Sequence, residues 1–540
     1  MTKTKRCFSA TVACALAGCA LLSPLNKVNA VNPFLPLWEY IPDGEPYVFE
    51  DPDNPGKFRV YIYGSHDSRK TDYCGLEQVV WSAPIDDLNN WRYDGIIFES
   101  KLDANGNPLN PDGEGDVLFA PDITEVTTKN GEKVYYFYPN NQNGGRNGMV
   151  AKSSRPDGPF TVSNWSKESP TVTDGVLRFD PAVFVDDDGK VYGYWGFERS
   201  YGAELDPVTM ATVKEGTAIV EDMIPSRDQD DTFRFFEASS IRKIKDKYVF
   251  VYSRWTRDGE FGLYDTNYTL AYAYSDNPLG PFTYGGTIID GRARGTDENG
   301  NVIPTATPFG NTHGSIIEIN GKWYVFYHRQ SGDDEYARQA MVAPIEVKVE
   351  EGPGGKVEIS EAEYTSEGFD TEGLDPFKRY SAGIMSYYTG PRPATHSYPK
   401  VKFSGSYVQP FYGDEGRFKA PYAPQYNRNA VINNTDGSII GYKYYNFDNL
   451  DSDADLILNL KSLGIDGTID VMIDSPWASR GGKKVGSLKI ATDAPQTATD
   501  MTVKMSGIKD LNGKHALFLI FKSPVKDQSI CDLYELQFKN

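Results

Sequence analysis

A short strand of β-branched, aromatic and polar residues recurs five times in the first two thirds of the chain. Each copy begins at a lysine, is preceded by a Gly or Asp turn and continues as a run rich in Val, Phe, Tyr and Trp, which is the pattern of a β-strand. Because the same unit returns in order, it predicts an array of similar sheets. The copies are residues 57–65 (KFRVYIYGS), 133–140 (KVYYFYPN), 190–197 (KVYGYWGF), 247–255 (KYVFVYSRW) and 322–330 (KWYVFYHRQ).

The third copy shows how a unit is built. Asp180 precedes a Val/Phe/Val run, and residues 186–189 (DDDG) separate this run from the strand that follows. An Asp/Gly cluster between two β-rich runs predicts a hairpin. Helical periodicity is almost absent here, so the units are not αβ repeats. Sheets arranged radially cover one another's faces and keep their edges short, so we predict that residues 31–375 form a five-bladed β-propeller in an all-β protein. The alternative is an irregular pair of β-sandwiches, but five matches in order argue against it.

The rest of the chain predicts a second β domain. Residues 375–388 (DPFKRYSAGIMSYY) are too aromatic to remain solvated, so we expect residues 376–397 to be a connection that packs on the propeller. Short alternating strands then follow at roughly ten-residue spacing, a pattern typical of sandwiches. Residues 398–540 are therefore predicted to form a β-sandwich.

The first thirty residues have the pattern of an export signal. Basic residues near the start precede an apolar run at residues 8–25 and a small-residue cleavage site that ends at Ala30. The box at residues 16–19 (LAGC) also resembles a bacterial lipoprotein cleavage site, which would place a lipid on Cys19. We expect a secreted or cell-envelope protein, in the periplasm or on the outer surface, with the lipid anchor as an equal alternative and without a transmembrane span.

Composition narrows the classes of partner. The 540 residues carry a formal net charge of −20, which argues against nucleic acid or an anionic membrane surface and favours a neutral ligand. Beyond the leader only Cys74 and Cys531 remain, so we expect two buried thiols rather than a disulfide scaffold. No Cys/His group has zinc spacing, and no phosphate-binding loop is present.

Three carboxylates stand at matching positions before blade strands. They are Asp43, Asp180 and Glu237, the last of which follows a Phe-rich run. Burial among apolar groups raises the pKa of a carboxyl, so Glu237 suits a proton donor, whereas Asp43 lacks such surroundings and should stay ionised as a base. Each alone is better explained as a turn or capping residue. Together they indicate cleavage of a glycosidic bond by two carboxyls in different environments.

The motifs around these acids resemble glycoside hydrolase family 43, the five-bladed inverting arabinosidases and xylosidases. The resemblance covers roughly residues 32–345 and is specific, because all the blocks occur in the family's order. The blocks are residues 32–33 with 42–43, 119–123 (FAPDI), 179–189 (FDPAVFVDDDG), 236–238 (FEA) and 310–315 (GNTHGS).

The resemblance implies a role for each acid. Asp43 is expected to be the general base, Glu237 the general acid, and Asp180 the residue that modulates the acid's pKa and orients the sugar. Inversion would place the carboxyls of Asp43 and Glu237 about 6.5–9.5 Å apart. Further sugar contacts are expected at Phe119, Asp122, Trp255, His313 and Arg329.

Several of these contacts have structural alternatives. His313 resembles the family residue on the propeller axis beside a calcium ion or a water, but a hydrogen-bonded core histidine is the alternative. Arg329 could contact the sugar or be salt-bridged elsewhere, and Asp122 could support the site from outside the sugar-binding surface. We expect no required cofactor, with a structural Ca²⁺ near His313 as the one candidate metal.

The sandwich resembles a carbohydrate-binding module of family 6 through residues 441–443, 471–474, 485–488 and 513–521. Aromatic side chains stack on sugars, and Trp477, Tyr444 and Tyr445 are the candidates. A purely structural cap is an equal alternative.

The expected activity is that of a monomeric, exo-acting, inverting α-L-arabinofuranosidase on plant cell-wall poly- or oligosaccharide. A β-xylosidase or an endo-arabinanase on the same fold is the first alternative. Five-bladed fructan hydrolases are a second, although their first-blade Asn-Asp-Pro is missing. A non-catalytic sugar-binding propeller is a third, and it predicts that one of the three acids is displaced from the channel.

Overall fold

The computed structural model describes residues 31–69, 72–306, 310–391, 405–410, 429–448, 450 and 453–540. The predicted leader, with Cys19, lies outside these ranges. Within the described part of the chain no helix is both long and apolar enough to cross a bilayer.

Four blades are antiparallel sheets of four strands each, in chain order. The first contains β1 (Glu45–Glu50), β2 (Phe58–Tyr63), β3 (Glu77–Pro84) and β4 (Arg92–Glu99). The second contains β5 (Asp122–Thr127), β6 (Lys133–Tyr138), β7 (Ala151–Ser153) and β8 (Thr161–Val162). The third contains β9 (Ala182–Val185), β10 (Val191–Trp195), β11 (Tyr201–Leu205) and β12 (Val220–Glu221). The fourth contains β13 (Phe235–Ile244), β14 (Lys247–Arg254), β15 (Thr269–Ser275) and β16 (Thr283–Asp290).

The fifth blade has three described strands and is completed by the start of the propeller. After the hairpin of β17 (Arg294–Thr296) and β18 (Val302–Pro304) come β19 (Ser315–Ile319), β20 (Lys322–Ser331) and β21 (Ala337–Ile345). The Asn32 side chain donates to the Val342 carbonyl at 2.6 Å and accepts from its amide at 3.0 Å. Phe34 N–H donates to the Ala340 carbonyl. The N-terminal segment therefore lies along β21 and closes the ring.

The five recurring units of the sequence are the second strands of the five blades, so the predicted propeller is confirmed. The first strand of each blade lies at the axis. Among these, β5 contacts β9, β9 contacts β13, and β19 contacts both β13 and β1. The starts of these strands consequently lie at one end of the axis, where five loops converge.

The predicted sandwich is also present, after the hairpin of β22 (Val347–Val349) and β23 (Val357–Ile359). One sheet contains β24 (Tyr380–Ser381), β26 (Tyr407–Val408), β27 (Val431–Ile432), β29 (Asp455–Ser462), β32 (Thr499–Val503) and β34 (Cys531–Lys539). The other contains β25 (Tyr387–Thr389), β28 (Ile439–Asn446), β30 (Gly467–Ile473), β31 (Lys483–Ile490) and β33 (Lys514–Lys522). Short 3₁₀ turns occur at Glu260–Gly262, Ala382–Ile384 and Ala478–Arg480. Since β24 and β25 pair within these sheets, the sandwich begins before residue 398, and the expected connection supplies two of its strands.

The two domains share a buried interface. One apolar cluster includes Val249 and Ile316 of the propeller together with Leu456 of the sandwich. At its edge the buried guanidinium of Arg329 donates to the main-chain carbonyls of Gly383 and Met385. The sandwich is therefore packed on the propeller rather than tethered to it. The two remaining thiols, Cys74 and Cys531, are free and buried as expected.

Candidate active site

A cavity of about 500 Å³ opens at the end of the propeller where the first strands begin. Every blade contributes to its lining just before or at the start of that strand. These contributions are Asp43 from the first blade, Phe119 and Ala120 from the second, Phe179 and Asp180 from the third, Phe236 and Glu237 from the fourth, and Gly310, Asn311 and His313 from the fifth. The three carboxylates that the sequence singled out thus meet in one cavity.

Asp43 is held as an ionised carboxylate. It is 4% exposed, and its Oδ2 accepts from the Ser65 hydroxyl at 2.6 Å. Arg338 Nη1 donates to Oδ1 at 2.9 Å and to Oδ2 at 3.2 Å. Burial acts to raise the pKa of Asp43, but the Arg338 guanidinium and the Ser65 hydrogen bond outweigh it, so the pKa lies below its ordinary value. The side chain is therefore ready to accept a proton at neutral pH.

Arg338 was not singled out from the sequence. Its guanidinium joins Asp43 to the buried Asp67, whose Oδ1 accepts from Nη2 at 2.8 Å and whose Oδ2 accepts from Nε at 2.9 Å. A guanidinium shared by two carboxylates has a fixed orientation, because its planar fork satisfies both. Arg338 therefore fixes the position of the Asp43 carboxylate as well as its charge.

Asp180 accepts hydrogen bonds on both oxygens. Asn140 Nδ2 donates to Oδ1 at 2.9 Å, and the Ala238 amide donates to Oδ2 at 3.0 Å. Burial and the charge of Asp43 raise the pKa of Asp180 to about 8. The hydrogen bond from the Ala238 amide connects Asp180 directly to the residue that follows Glu237.

Glu237 lies at a break in the ladder between β13 and β14. The pairing register shifts on both sides of it, and Ala238 has a φ of 68°. Such bulges turn a side chain away from the direction that a regular strand would give it. Burial raises the pKa of Glu237 well above its ordinary value, and the charges of Asp180 and Asp43 raise it further. The structure thus places a proton-holding carboxyl in the same cavity as the ionised Asp43.

His328 and Asn311 connect the two sides of the site. The Asp43 amide donates to His328 Nδ1 at 3.2 Å, and His328 Nε2 lies 2.9 Å from the Asn311 carbonyl. Nε2 must then carry the proton, and burial lowers the pKa of His328 to about 3, so the ring is neutral. The Asn311 side chain accepts from Arg338 at 3.3 Å and also hydrogen-bonds Glu237. Asn311 therefore contacts the surroundings of both carboxyls.

The structure brings three of the five expected sugar contacts into the cavity. Phe119, Trp255 and His313 line it. In the described part of the chain, the buried Trp255 Nε1 and His313 Nε2 have no hydrogen-bond partner. Burial lowers the pKa of His313 to about 4, so its ring is neutral too. Unsatisfied buried nitrogens are costly, and hydroxyl groups of a polyol would satisfy them.

The other two expected contacts lie elsewhere. Asp122 is buried at the start of β5, where Oδ1 accepts from the Tyr47 hydroxyl at 2.7 Å and Oδ2 from the Val183 amide at 2.6 Å. It supports the axis below the cavity, as its structural alternative proposed. Arg329 is in the domain interface described above and does not line the cavity, whereas Arg338 on the neighbouring strand does.

The surroundings of His313 do not supply a calcium site from side chains alone. His313 Nδ1 is 3.6 Å from Asp180 Oδ2, and Ca²⁺ requires six to eight oxygen ligands. Among the described residues no three His, Cys, Asp or Glu side chains converge as metal ligands. The carboxylates of Asp180 and Asp43, which line the cavity with His313, already accept hydrogen bonds from amides or a guanidinium.

This arrangement can perform acid–base chemistry on an uncharged ligand. One carboxyl holds its proton, a second is ionised, a third modulates the first, and aromatic side chains with two unsatisfied nitrogens surround them. The family model for glycosyl hydrolases family 43 matches residues 48–353. The chain belongs to glycosyl hydrolase family 43.

Relatives of this family 43 chain extend into its second domain. A xylosidase/arabinosidase of Thermoclostridium stercorarium is 34% identical over 442 residues, which cover 77% of this chain and 82% of that protein. An arabinoxylan arabinofuranohydrolase of Paenibacillus polymyxa is 25% identical over 499 residues, covering 89% and 69% respectively. The crystal structure of a family 43 arabinoxylan arabinofuranohydrolase from Bacillus subtilis in complex with cellotetraose is 22% identical, with a TM-score of 0.44 and coverage of 95% of this chain and 98% of that one.

The aromatic residues expected to bind sugar on the sandwich of this family 43 protein are engaged in other contacts. Trp477 Nε1 donates to the Thr296 carbonyl of the propeller at 2.9 Å, and the Tyr444 hydroxyl donates to Glu363 at 2.6 Å. Tyr445 is fully buried. These contacts favour the structural cap, while the resemblance to a family 6 module stays a prediction.

Proposed function

We propose that this protein is an exported, inverting, exo-acting glycoside hydrolase that releases α-L-arabinofuranose from arabinan or arabinoxylan. Glu237 protonates the departing glycosidic oxygen, while Asp43 removes a proton from the water that attacks the anomeric carbon from the opposite face. Once Asp180 ionises, its charge raises the pKa of Glu237, so Glu237 keeps its proton to higher pH. Room for that water requires the carboxyls of Asp43 and Glu237 to lie about 6.5–9.5 Å apart.

This proposal rests on two carboxyls in one cavity whose pKa values are shifted in opposite directions from their ordinary values. Burial and neighbouring carboxylates raise the pKa of Glu237, whereas Arg338 lowers that of Asp43. A general acid and a general base at the same pH need this difference. The non-catalytic alternative predicts that one acid is displaced, but Asp43, Asp180 and Glu237 all line the cavity.

A β-xylosidase is the second candidate. Relatives whose names include both activities, such as the xylosidase/arabinosidases of Thermoclostridium stercorarium and Humicola insolens, support it. The same acid and base would act on either sugar, since pocket contacts rather than the carboxyls set the preference.

A panel of nitrophenyl glycosides, with ¹H NMR of the first-formed product, tests the proposal. We expect α-L-arabinofuranoside to be cleaved with a kcat/KM about tenfold above that of β-xyloside, and the first product to be β-arabinose. Faster cleavage of the xyloside would favour the second candidate. Release of α-arabinose first would contradict inversion, and cleavage of neither substrate would contradict both exo-acting candidates.

The pH profile should report the coupling between Asp180 and Glu237. As the pH rises, activity is lost when Glu237 deprotonates, and the negative charge of Asp180 delays that loss by raising the pKa of Glu237. Asp180→Asn removes this charge, so the alkaline limb of kcat/KM should shift to lower pH while the acidic limb, set by Asp43, moves little. An alkaline limb that stays in place in Asp180→Asn would contradict the proposed modulation.

A further inference from the structure

Phe197 combines exposure with a place in the cavity. Its side chain is 48% exposed, and it lines the cavity beside Phe179 and Phe236. Among the large apolar side chains that are exposed in the described part of the chain, Phe197 alone belongs to that lining. An exposed ring at the mouth of a sugar-sized cavity is a candidate contact for a ligand.

The ring is held in place before any ligand arrives. It lies between Phe179 and Phe236, with centroid separations of 5.0 and 5.1 Å. The loop that carries it is fixed by two main-chain hydrogen bonds, from Gly196 to Phe179 at 2.9 Å and from Glu198 to Phe236 at 2.6 Å. Gly196 is required here, since a Cβ would collide with the Arg199 carbonyl oxygen. A preorganised ring loses little entropy on binding.

The position of Phe197 relative to the acid indicates which part of a substrate it contacts. Phe236, which touches the Phe197 ring, immediately precedes Glu237, and the Glu198 amide binds the Phe236 carbonyl. Asp43, by contrast, is held from the side of Ser65 and Arg338. The proton donor contacts the oxygen of the leaving group, so the leaving group lies on the side of Glu237.

Polar groups next to the ring suit an uncharged sugar. Glu198 lines the cavity and lies 3.9 Å from Arg227, whose guanidinium lies over the Trp255 ring at 4.6 Å. This pair offers both donors and acceptors to hydroxyl groups. The Glu198 carboxylate would repel an anionic sugar such as a uronate.

We propose that Phe197 is the platform for the leaving-group sugar, a neutral pyranose ring of the polysaccharide backbone. The apolar C–H face of this ring stacks on the exposed part of the Phe197 ring, while Glu198 and Arg227 bind its hydroxyls. This inference rests on the proposed function, because it presupposes Glu237 as the acid. It adds a preference for substrates in which a second sugar ring follows the scissile bond.

Two substrates with the same arabinofuranosyl group but different leaving groups test this platform. Methyl α-L-arabinofuranoside has no second ring, whereas an arabinofuranosyl-xylotriose carries a pyranose beyond the scissile oxygen. We expect Phe197→Ala to lower kcat/KM about tenfold on the oligosaccharide, mainly through KM, and less than about twofold on the methyl glycoside. Phe197→Trp, which keeps an aromatic face, should retain activity on both.

Phe58→Ala is the matched control, because Phe58 is 44% exposed at the start of β2 and does not line the cavity. It should leave both substrates unaffected. An equal loss on both substrates in Phe197→Ala would mean that the ring only shields Phe236, and no loss would also refute the platform. If the wild-type protein cleaves neither arabinofuranoside, the arabinofuranosidase proposal fails, and xylobiose against methyl β-xyloside then gives the same comparison for Phe197.

Discussion

Replacing Glu237 with Gln should lower kcat/KM on an arabinofuranosyl oligosaccharide by about 10²–10⁴-fold while the protein stays folded. The amide cannot donate a carboxylic proton to the leaving oxygen. A dinitrophenyl leaving group departs as a stable anion and needs no such proton, so the loss on dinitrophenyl arabinofuranoside should be much smaller. Steady-state kinetics on the two substrates measure the difference.

Glu221→Gln is the control for this substitution. Glu221 is exposed on β12 and pairs with Arg199 at the surface. Removing its charge should therefore change stability little and leave activity unchanged. Circular dichroism of both variants would confirm that the propeller is intact. A loss in Glu237→Gln that is the same for both leaving groups would exclude Glu237 as the general acid.

Asp43→Asn should lower kcat/KM by about 10³–10⁴-fold, and by the same factor for good and poor leaving groups. The base acts on the attacking water, so the quality of the leaving group does not compensate for its absence. Asn is the suitable replacement because Asp43 has a φ of 60°, a conformation that Asn tolerates better than Ala. Arg338 keeps its pairing with Asp67, so no buried cation is left alone.

The control for the base is Asp53→Asn. Asp53 is exposed in the turn between β1 and β2 and pairs with Arg155, so its amide variant should retain wild-type rates. The same two substrates and a thermal melt of each variant complete the measurement. Asp43→Asn activity within about tenfold of wild type on both substrates would refute the assignment of the base.

The fold was predictable because the strand units repeat and each is locally complete. The same lysine-led strand, preceded by a turn, became the second strand of every blade, and the carboxylates before or within the first strands met because those strands start at one end of the axis. The beginning of the sandwich was not predictable. β24 and β25 are two and three residues long, too short to show alternation.

Strand alternation explains the exchange of Arg329 for Arg338. Neighbouring residues of a strand point to opposite faces. His328 on β20 contacts Asp43, so the adjacent Arg329 points away from the site, towards the sandwich. Arg338 pairs with Gln330, two residues from His328, and shares the face of His328. Choosing between the arginines required the pairing of β20 with β21, which the sequence of a single strand does not contain.

The contact of Arg329 with the main chain of the sandwich restricts how this propeller can be combined with other modules. Among the described residues, its hydrogen-bond acceptors are the carbonyls of residues 383 and 385 and Gln339 Oε1. Replacing the sandwich with an unrelated domain would leave the Arg329 guanidinium buried without acceptors. This would lower the free energy of unfolding by about 3–5 kcal/mol. The sandwich is thus an integral part of the enzyme's architecture. Designs that replace one domain should retain the sandwich or substitute Arg329 with an uncharged residue.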